Sequence, residues 1–578
     1  MKNGFIIALG AVVLAVICLL CVYVKNKHEG LAFSFEIETG NQSAIIDISN
    51  ANEEWTVYLP SFADSENTYA KIYDNASVIL DGKNIANHEN LGWVTEGTHN
   101  LVINNEAYDI EVCQSANVAA AFVDLYRGNI EDLYTDKEKS TTVSVKLFDS
   151  NGKEDYYDAK ATISGRGNAT WNQEKKPFSL KFKNEVPLLG MDPENDWALL
   201  ANALDRSGIR DALMKQFADY LGMDYTMDTR YVDLYIDGKY NGLYLLSEKP
   251  DVDEDYMGRI EYLFRIKKPI EFETESGIKM EKYPSSKGTE VYTVAEDTIA
   301  SVRDYIYYDN PYNPLDMDSW AKAYLVDEIL ANIDAGRASS YLYWNEGGKV
   351  YKGPIWDGDM TIGSSSIFGT EVDCLTACEA GSCWRNLLKK EEFLTEVNGI
   401  YNENRDGIEN FLIGKIDSLD AEICTARYMD QVRWGNMYSS QPHVIESPKY
   451  DAADLKQFVH DKLDYLDEAL RNPVQYRFVV FMVGGLRYPF TVEKGTVFKI
   501  PDKIASLYES DVWVDSESGA KVDLSKPVEE NIKVVNADSY NMEEDLTSRS
   551  MWKLHVVVLA AFAILLAGAI VIDKRTNR

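Results

Sequence analysis

The chain has 578 residues, too many for a single hydrophobic core, so several domains are expected. With 45% hydrophobic and 12% aromatic residues, its composition excludes a largely disordered protein. The formal net charge of −35 repels polyphosphate backbones and excludes nucleic acid as a general partner. A phosphate-bearing ligand must therefore be held by local cations or by a metal ion.

Two apolar segments lie near the ends of the chain. The first, Ile6–Val24, has about 19 residues, enough to span a bilayer. Residues 1–27 are accordingly interpreted as a signal anchor or as a cleaved signal peptide. The second segment, residues 554–572, precedes the basic tail 573–578, which predicts a cytoplasmic C-terminus. Together they predict a membrane protein whose large middle part is extracytoplasmic.

Residues 31–115 have the pattern of a small all-β module. Short stretches of alternating apolar and polar residues are separated by turns rich in Asn, Gly and Asp, which is typical of a β-sandwich. No cluster of catalytic residues occurs in it. A spacer or a binding module is therefore the expected role.

A mixed α and β pattern begins near residue 117. Strands predicted at Thr141–Phe148 and Tyr157–Ser164 lead into a Gly-flanked turn that contains Arg166 and Asn168. Backbone amides in such a turn can approach a phosphate, but a tight structural turn explains the same residues.

The next predicted strand, residues 176–183, is amphipathic. Phe178 and Leu180 point to one face, whereas Lys181 and Lys183 point to the other. One of these lysines can thus face a cleft.

A helix and a hairpin follow this strand. The helix is predicted at Arg206–Tyr220. Strands at Arg230–Ile236 and Gly242–Leu246 flank Asp237-Gly238, a strong signal for a hairpin turn. The hairpin leads directly to Glu248.

After a polar stretch at 251–295 the chain becomes mostly helical. Helices are predicted at residues 296–307, 316–333, 384–402, 405–434 and 452–471. A strand-rich half followed by a helical half predicts a two-lobed domain, with the ligand cleft between its lobes.

Three carboxylates are the strongest candidates for chemistry. Asp334 is predicted in a loop after a helix, and Asp357 and Asp359 follow the apolar stretch Val350–Trp356 at a predicted strand end. At positions i and i+2 of a strand the last two would share a face. Carboxylates placed in one cleft suit Mg²⁺ together with a phosphate.

Three cysteines lie close together in the sequence, at Cys374, Cys378 and Cys383. Histidines are absent nearby and no second cysteine pair matches, so a zinc site is disfavoured. A local disulfide and plain buried thiols both remain compatible with the spacing.

Several motifs occur in order between residues 117 and 472: they read GRGNATW, KKPFSLKF, RYVDLYIDGKYNGLYLLSEKP, NID and PIWDGD. In this order they resemble the bacterial spore-coat CotH kinase family. The resemblance implies an atypical protein-kinase-like fold that binds ATP with Mg²⁺ and transfers phosphate to Ser or Thr of proteins. Residues 474–537 resemble a bacterial surface β-repeat of the Listeria–Bacteroides type, which implies spacing or adhesion, and 538–553 are interpreted as a linker.

The resemblance assigns a role to residues on the nucleotide side. Lys181 matches the strand lysine that would offset phosphate charge, although a solvated lysine is the alternative. Glu248 falls where kinase-like folds join their lobes and backbone groups meet adenine, although its side chain can simply cap the linker. Arg166 and Asn168 are candidates for phosphate contacts.

On the chemical side, Asp334 matches the aspartate that orients or deprotonates the acceptor hydroxyl, or else caps its loop. Asp357 matches the metal-binding aspartate, and Asp359 is its candidate companion.

Two positions depart from the usual kinase pattern. The loop has Ser339-Ser340 where a second metal ligand, an Asn, is expected, and Asn332 is a possible substitute. The predicted helix also offers no Glu to pair with Lys181, only Asp211 and Asp219.

The complete prediction is α+β: an atypical two-lobed kinase-like domain flanked by two small all-β modules, with a transmembrane helix at each end. The predicted activity is ATP-dependent phosphorylation of Ser or Thr in surface or spore-coat proteins. A weakly active or inactive kinase-like scaffold or adhesion protein is the alternative.

Overall fold

A computed structural model describes much of the chain. The described residues are 30–51, 54–251, 261–266, 278–282, 291–308, 310–336, 338–345, 347–363, 371–439, 451–484 and 486–540.

The N-terminal part consists of strands in two sheets. They are β1 (Phe33–Thr39), β2 (Gln42–Asp47), β3 (Ser49–Ala51), β4 (Glu54–Leu59), β5 (Thr68–Ile72), β6 (Val78–Leu80), β7 (Lys83–Ile85), β8 (Gly97–Ile103) and β9 (Glu106–Gln114). One sheet has the order β2-β1-β5 and the other β3-β4-β9-β8-β6-β7. Alternate residues of β1, namely Phe33, Phe35 and Ile37, are fully buried, as expected for a strand with one face on a core.

The second part of the structure is a closed barrel. Its elements are β10 (Ala119–Leu125), α1 (Ile130–Thr135), β11 (Ser140–Phe148), β12 (Glu154–Gly165), β13 (Phe178–Val186), β14 (Glu194–Leu200), α2 (Arg210–Tyr220), β15 (Thr229–Ile236) and β16 (Lys239–Ser247). The strand order is β10-β11-β12-β13-β14-β16-β15, and the parallel pairing of β10 with β15 closes the barrel. The barrel and the N-terminal sheets share a hydrophobic core in which Phe122 stacks on Tyr235.

The third part combines a small sheet with helices. Its elements are β17 (Tyr262–Ile266), β18 (Ile278–Lys282), α3 (Val291–Tyr307), α4 (Met317–Ile329), β19 (Ser340–Trp344), β20 (Val350–Lys352), α5 (Thr376–Ala380), α6 (Ser382–Leu387), α7 (Glu391–Ser439) and α8 (Ala452–Ala469). The sheet has the order β18-β17-β19-β20. Helix α7 is kinked at Trp434, whose indole Nε1 donates to Asn241 O at 3.0 Å and so joins this helix to the barrel.

The C-terminal part is a sheet with the order β22-β21-β25-β23-β24. Its elements are β21 (Tyr476–Val483), β22 (Leu486–Glu493), α9 (Asp502–Ala505), β23 (Trp513–Asp515), β24 (Lys521–Val522) and β25 (Ile532–Asn536). Phe478 and Val480 of β21 belong to the core of the helical part. Thr491 Oγ1 also accepts a hydrogen bond of 2.9 Å from Leu375 N. This sheet is therefore packed against the preceding helices.

The hairpin predicted around Asp237-Gly238 is confirmed. Strands β15 and β16 pair antiparallel, with Ile236 opposite Lys239. Both turn residues have positive φ, 47° at Asp237 and 77° at Gly238, as a two-residue hairpin turn requires.

Helix α2 begins later than the sequence predicts. Asp205 Oδ2 accepts from Arg210 N at 3.0 Å, and Asp205 Oδ1 accepts from Ser207 N at 3.0 Å. The residues before Arg210 thus form a turn capped by this carboxylate instead of a first helical turn.

The predicted architecture is wrong. The described residues form a mixed α+β fold with many strands, not a two-lobed kinase-like domain between two all-β modules, and they include no helix able to span a membrane. The strand-rich half of the predicted kinase region closes into the barrel. Barrel closure depends on the pairing of β10 with β15, which are far apart in sequence, and local alternation of residue types does not report it.

The prediction of a membrane-anchored protein with an extracytoplasmic large domain is also corrected. Within the described ranges, no helix is both long and apolar enough to cross a bilayer. Residues 1–27 and 554–572, on which that prediction depended, lie outside those ranges.

Candidate functional site

A cavity lies where the ends of barrel strands β12 and β14 meet α2 and the chain after β20. The polar residues that line it are Arg166, Thr170, Asn202, Asp211, Asp357 and Asp359. Its apolar lining comes from Pro177, Leu200, Ala201 and Trp356. One cation and three carboxylates, contributed by three distant parts of the chain, therefore share one cavity.

Asp357 and Asp359 lie in a loop and not at a strand end as predicted. Strand β20 ends at Lys352, and Asp357 has a φ of 71°, in the left-handed region that no strand residue adopts. Ser339 Oγ donates to Asp357 Oδ2 at 2.7 Å and orients this carboxylate. Both carboxylates line the cavity even though the strand geometry expected to bring them together is absent.

Helix α2 fixes the middle of this loop. Gly358 N donates to Asp211 Oδ1 at 2.6 Å. A Cβ at position 358 would lie 3.0 Å from Met214 Cβ and 3.1 Å from Asp211 Cα, so any larger residue would push the loop and α2 apart.

Arg210 fixes the next turn of the same loop. Its buried guanidinium donates from Nε to Thr361 O at 2.8 Å and pairs with Asp205. The first turn of α2 thus holds the loop on both sides of Asp359, through Asp211 at Gly358 and through Arg210 at Thr361.

Several carboxylates surround Asp359. Burial raises the pKa of this carboxyl well above its ordinary value, and neighbouring carboxylates raise it further. Those neighbours are Asp357, Asp211, Asp205 and Asp334. A cation placed against Asp357 and Asp359 would offset this repulsion.

The donor set fits Mg²⁺ bound together with phosphate. Mg²⁺ in phosphoryl-transfer sites takes one or two carboxylates and completes its shell with waters and substrate phosphate oxygens. Asp357 and Asp359 supply such a pair. The described part of the chain contains no group of three or more Asp, Glu, His or Cys side chains able to hold a metal unaided.

Arg166 is the cation of the cavity. It is partly buried, and burial lowers its pKa while the charge of Asp357 raises it. Its guanidinium lies 5.5 Å from the ring centroid of Trp356, whose ring also has Lys215 Nζ at 4.5 Å. Asn168, predicted to share the role of Arg166, is exposed and does not line the cavity.

Lys181 lies outside the cavity, on the exposed face of β13. Its Nζ is 3.1 Å from Asp196 Oδ2 on the adjacent strand, and 61% of its side chain is exposed. Lys249 Nζ lies 2.8 Å from the same oxygen. Because Arg166 interacts electrostatically with both Asp196 and Asp357, this pair of lysines continues the charged cluster that begins in the cavity.

Glu248 follows β16 and is buried. Its Oε1 accepts from Asp192 N at 3.2 Å and its Oε2 from Asp228 N at 3.0 Å. Burial raises its pKa to about 7 despite these two bonds. The side chain holds the backbone at Asp192 and at Asp228 to the end of β16, and it does not line the cavity.

Asp334 and Asn332 lie in the loop after α4. Asn332 is buried; its Nδ2 donates to Asp327 Oδ1 at 2.7 Å, and its Oδ1 accepts from Asp334 N at 3.0 Å. Neither residue lines the cavity, but Asp334 is near enough to affect the pKa of Asp359. The role of Asn332 in the structure is to hold the loop that carries Asp334.

The cysteine cluster contains free thiols. Cys374, Cys378 and Cys383 are all buried and unbridged. Their spacing in the sequence is compatible with a local disulfide or with buried thiols, and the structure has buried thiols.

Sequence reasoning did not assign a site role to Asp211, Trp356, Asp196, Lys215 or Lys249. Asp211 and Lys215 are one helical turn apart and resemble an ordinary surface pair until α2 is seen to be buried. For Trp356 the sequence does offer a signal of a site role, since this residue directly precedes Asp357 in the PIWDGD motif.

A family model described as CotH kinase protein matches residues 163–466, more than half of the chain. The chain belongs to the CotH kinase family. No curated protein matches it. The match spans Arg166, Lys181, Asp334 and both Asp357 and Asp359, so the charged groups in and around the cavity lie in the CotH region. The resemblance of residues 474–537 to a surface β-repeat finds no support in these comparisons, since the match ends before them.

Proposed function

We propose that this CotH kinase uses ATP with Mg²⁺ to phosphorylate Ser or Thr hydroxyls of a protein acceptor. The observation that supports this most directly is the cavity shared by Arg166, Asp357 and Asp359, beside the loop that carries Asp334. Family membership supports a kinase-related activity. Spore-coat proteins are the acceptor class that the resemblance implies.

The cavity residues would hold the phosphate end of the nucleotide. Asp357 and Asp359 would bind Mg²⁺, which supplies positive charge next to the transferred phosphate. Arg166 would contact phosphate oxygens, with its guanidinium kept in place by Trp356 and by the charge of Asp357. Lys181 and Lys249 would meet the phosphates nearer the nucleoside.

Asp334 would act on the acceptor. The acceptor oxygen forms a bond to the γ-phosphorus, the bond from that phosphorus to its bridging oxygen breaks, and ADP leaves. The acceptor proton passes to a carboxylate oxygen of Asp334. Ser339 keeps Asp357 oriented during this transfer through its 2.7 Å hydrogen bond.

Transfer of labelled γ-phosphate from ATP to casein by the full-length chain tests the proposal. Asp357→Asn should reduce the rate at least about 100-fold, because it removes a metal-binding charge. Asn tolerates the φ of 71°, so the loop should keep its shape. Asp74→Asn, at a turn residue with a φ of 54° in the N-terminal part, is the matched control and should retain full activity. Equal labelling by wild type and Asp357→Asn would refute the assignment.

A nucleotide-binding scaffold without transferase activity is the second candidate. It is favoured by Ser340, which stands about where a second metal-binding Asn is expected in kinases and whose hydroxyl accepts from Lys352 Nζ. A rise in thermal midpoint with ATP and Mg²⁺, absent in Arg166→Met and unaccompanied by labelling of casein, would support the scaffold.

A further inference from the structure

The loop that carries Asp334 is attached to the core at both of its ends. Its first attachment is to α4. Asn332 N donates to Asp327 O at 2.8 Å, and the Asn332 amide bridges Asp327 Oδ1 to Asp334 N. Asp327 is itself buried. The backbone of Asp334 is thus fixed from its N-terminal side by Asn332, which two further hydrogen bonds hold to Asp327.

The second attachment is made by Lys352, the last residue of β20. Its Nζ donates to Ser340 Oγ at 2.6 Å, at the first residue of β19, and lies 3.4 Å from Tyr341 O. Lys352 is 2% exposed. The residue before Ser340 is Ser339, whose hydroxyl donates to Asp357. Lys352 therefore fixes the point where the Asp334 loop meets the residue that orients a proposed metal ligand.

The two attachments are linked by charge. Burial raises the pKa of Asp327 to about 6, and the nearby Lys352 ammonium lowers it. Burial lowers the pKa of Lys352, and Asp327 raises it. Because a buried charge without a partner is costly, each group stabilises the other across the base of the loop.

We infer that Lys352 is a positioning residue for phosphoryl transfer, which holds the Asp334 loop and the Ser339–Asp357 contact in one arrangement. This inference rests on the proposed kinase function. Lys352 does not line the cavity; it acts through Ser340 and Asp327 on Asp334 and Asp357. Small displacements of a catalytic carboxylate lower the rate of transfer more than they affect binding.

Ser340 and Ser319 both hydrogen-bond to Lys352. Replacing each in turn distinguishes an effect on the position of the loop from an effect on stability alone. Ser340→Ala removes the nearer acceptor of the Lys352 ammonium and leaves Tyr341 O at 3.4 Å. Ser319→Ala is the matched control, because Ser319 is also buried but its Oγ accepts from Lys352 N at 3.2 Å and does not contact the loop. Each substitution removes one buried hydroxyl from around Lys352.

Steady-state phosphorylation of casein by the full-length variants is the first measurement. Ser340→Ala should lower kcat about tenfold with KM for ATP changed less than about twofold, whereas Ser319→Ala should leave both within about twofold. Lys352→Met should lower kcat further if it folds. Equal effects of the two serine substitutions on kcat would overturn the inference.

Amide hydrogen exchange of the same proteins gives a readout that does not depend on activity. Ser340→Ala should speed exchange in the described residues 332–336 and 338–340 relative to Ser319→Ala, with α8 unchanged. If the wild type transfers no phosphate, the proposed function fails and this comparison still decides whether Lys352 holds the loop. Unchanged exchange in Ser340→Ala would overturn the positioning role.

Discussion

Asp211 Oδ1 accepts a 2.6 Å hydrogen bond from Gly358 N, the amide between the two carboxylates Asp357 and Asp359. The other oxygen of Asp211 pairs with Lys215 Nζ, and both side chains are buried. One helix carboxylate thus connects the proposed metal-binding loop to a buried cation. Removing either partner should disturb the loop as well as the ion pair.

The first prediction concerns this ion pair. Asp211→Asn retains an oxygen for Gly358 N but leaves the Lys215 ammonium buried without a counter-charge, so it should destabilise the protein by roughly 3–5 kcal/mol. Adding Lys215→Met removes that charge and should restore much of the thermal midpoint.

Thermal unfolding of both single variants and the double variant measures the coupling. If the double variant loses as much stability as the sum of the single variants, the pair has no energetic linkage. Phosphorylation by the double variant should exceed that by Asp211→Ala, because only the double variant retains an acceptor for Gly358 N.

The second prediction concerns the cation of the cavity. Arg166→Met should lower kcat/KM for ATP about 100-fold, since it removes the charge next to Asp357, and Arg166→Lys should recover part of the loss. Lys137→Met is the control, because Lys137 Nζ donates to Gly167 O at 3.1 Å in the same turn but does not line the cavity. Comparable losses of kcat/KM in Arg166→Met and Lys137→Met would show that the effect comes from disturbing the turn and not from removing the charge of Arg166.

The third prediction compares two lysines on β13. Lys181 and Lys183 are both exposed, but Lys181 belongs to the charged cluster around Asp196. Lys181→Met should raise KM for ATP several-fold, while Lys183→Met should not. Lys249 shares Asp196 with Lys181, so the double variant with Lys249→Met should show the larger increase. Initial rates measured over a range of ATP concentrations give KM for each variant. Identical KM values for the two single variants would contradict the role of Lys181.

The fourth prediction concerns pH. Glu248 has its pKa raised from 4.5 to about 7 by burial, so the folded state favours the neutral carboxyl. Its contribution to stability is complete below pH 4.5 and is lost as pH rises to about 7, a change on the order of 3 kcal/mol.

The Glu248→Gln variant isolates this effect. Gln cannot ionise but accepts only one of the two backbone amides, a loss that does not depend on pH. The thermal midpoint of the variant should therefore lie below that of the wild type at about pH 5, and the difference should shrink or reverse at about pH 8. A difference that is constant across this range would contradict the raised pKa.

Residues of the candidate site differ in how far the sequence alone identifies them. Arg166, Asp334, Asp357 and Asp359 stand in short motifs, and three of the four line the cavity. Lys181 is on the predicted face of its strand, but the cavity is reached instead by Arg166. From the sequence, Asp211 is only an imperfect substitute for a Glu that would pair with Lys181. Its spacing from Lys215 is that of an exposed ion pair on a helix.

The sequence by itself determined those structural features that depend on residues close together in the chain. The Asp237-Gly238 hairpin and the alternation of Phe178, Leu180 and Phe182 follow from turn chemistry and from period-two burial. The family also follows, since its motifs are contiguous. Only the tertiary structure decided the barrel closure by β10 and β15 and the left-handed conformation at Asp357. It also placed Asp211 against Gly358. These features depend on contacts between residues far apart in the chain, and local propensities of the residues involved carry no record of which distant partner each one meets.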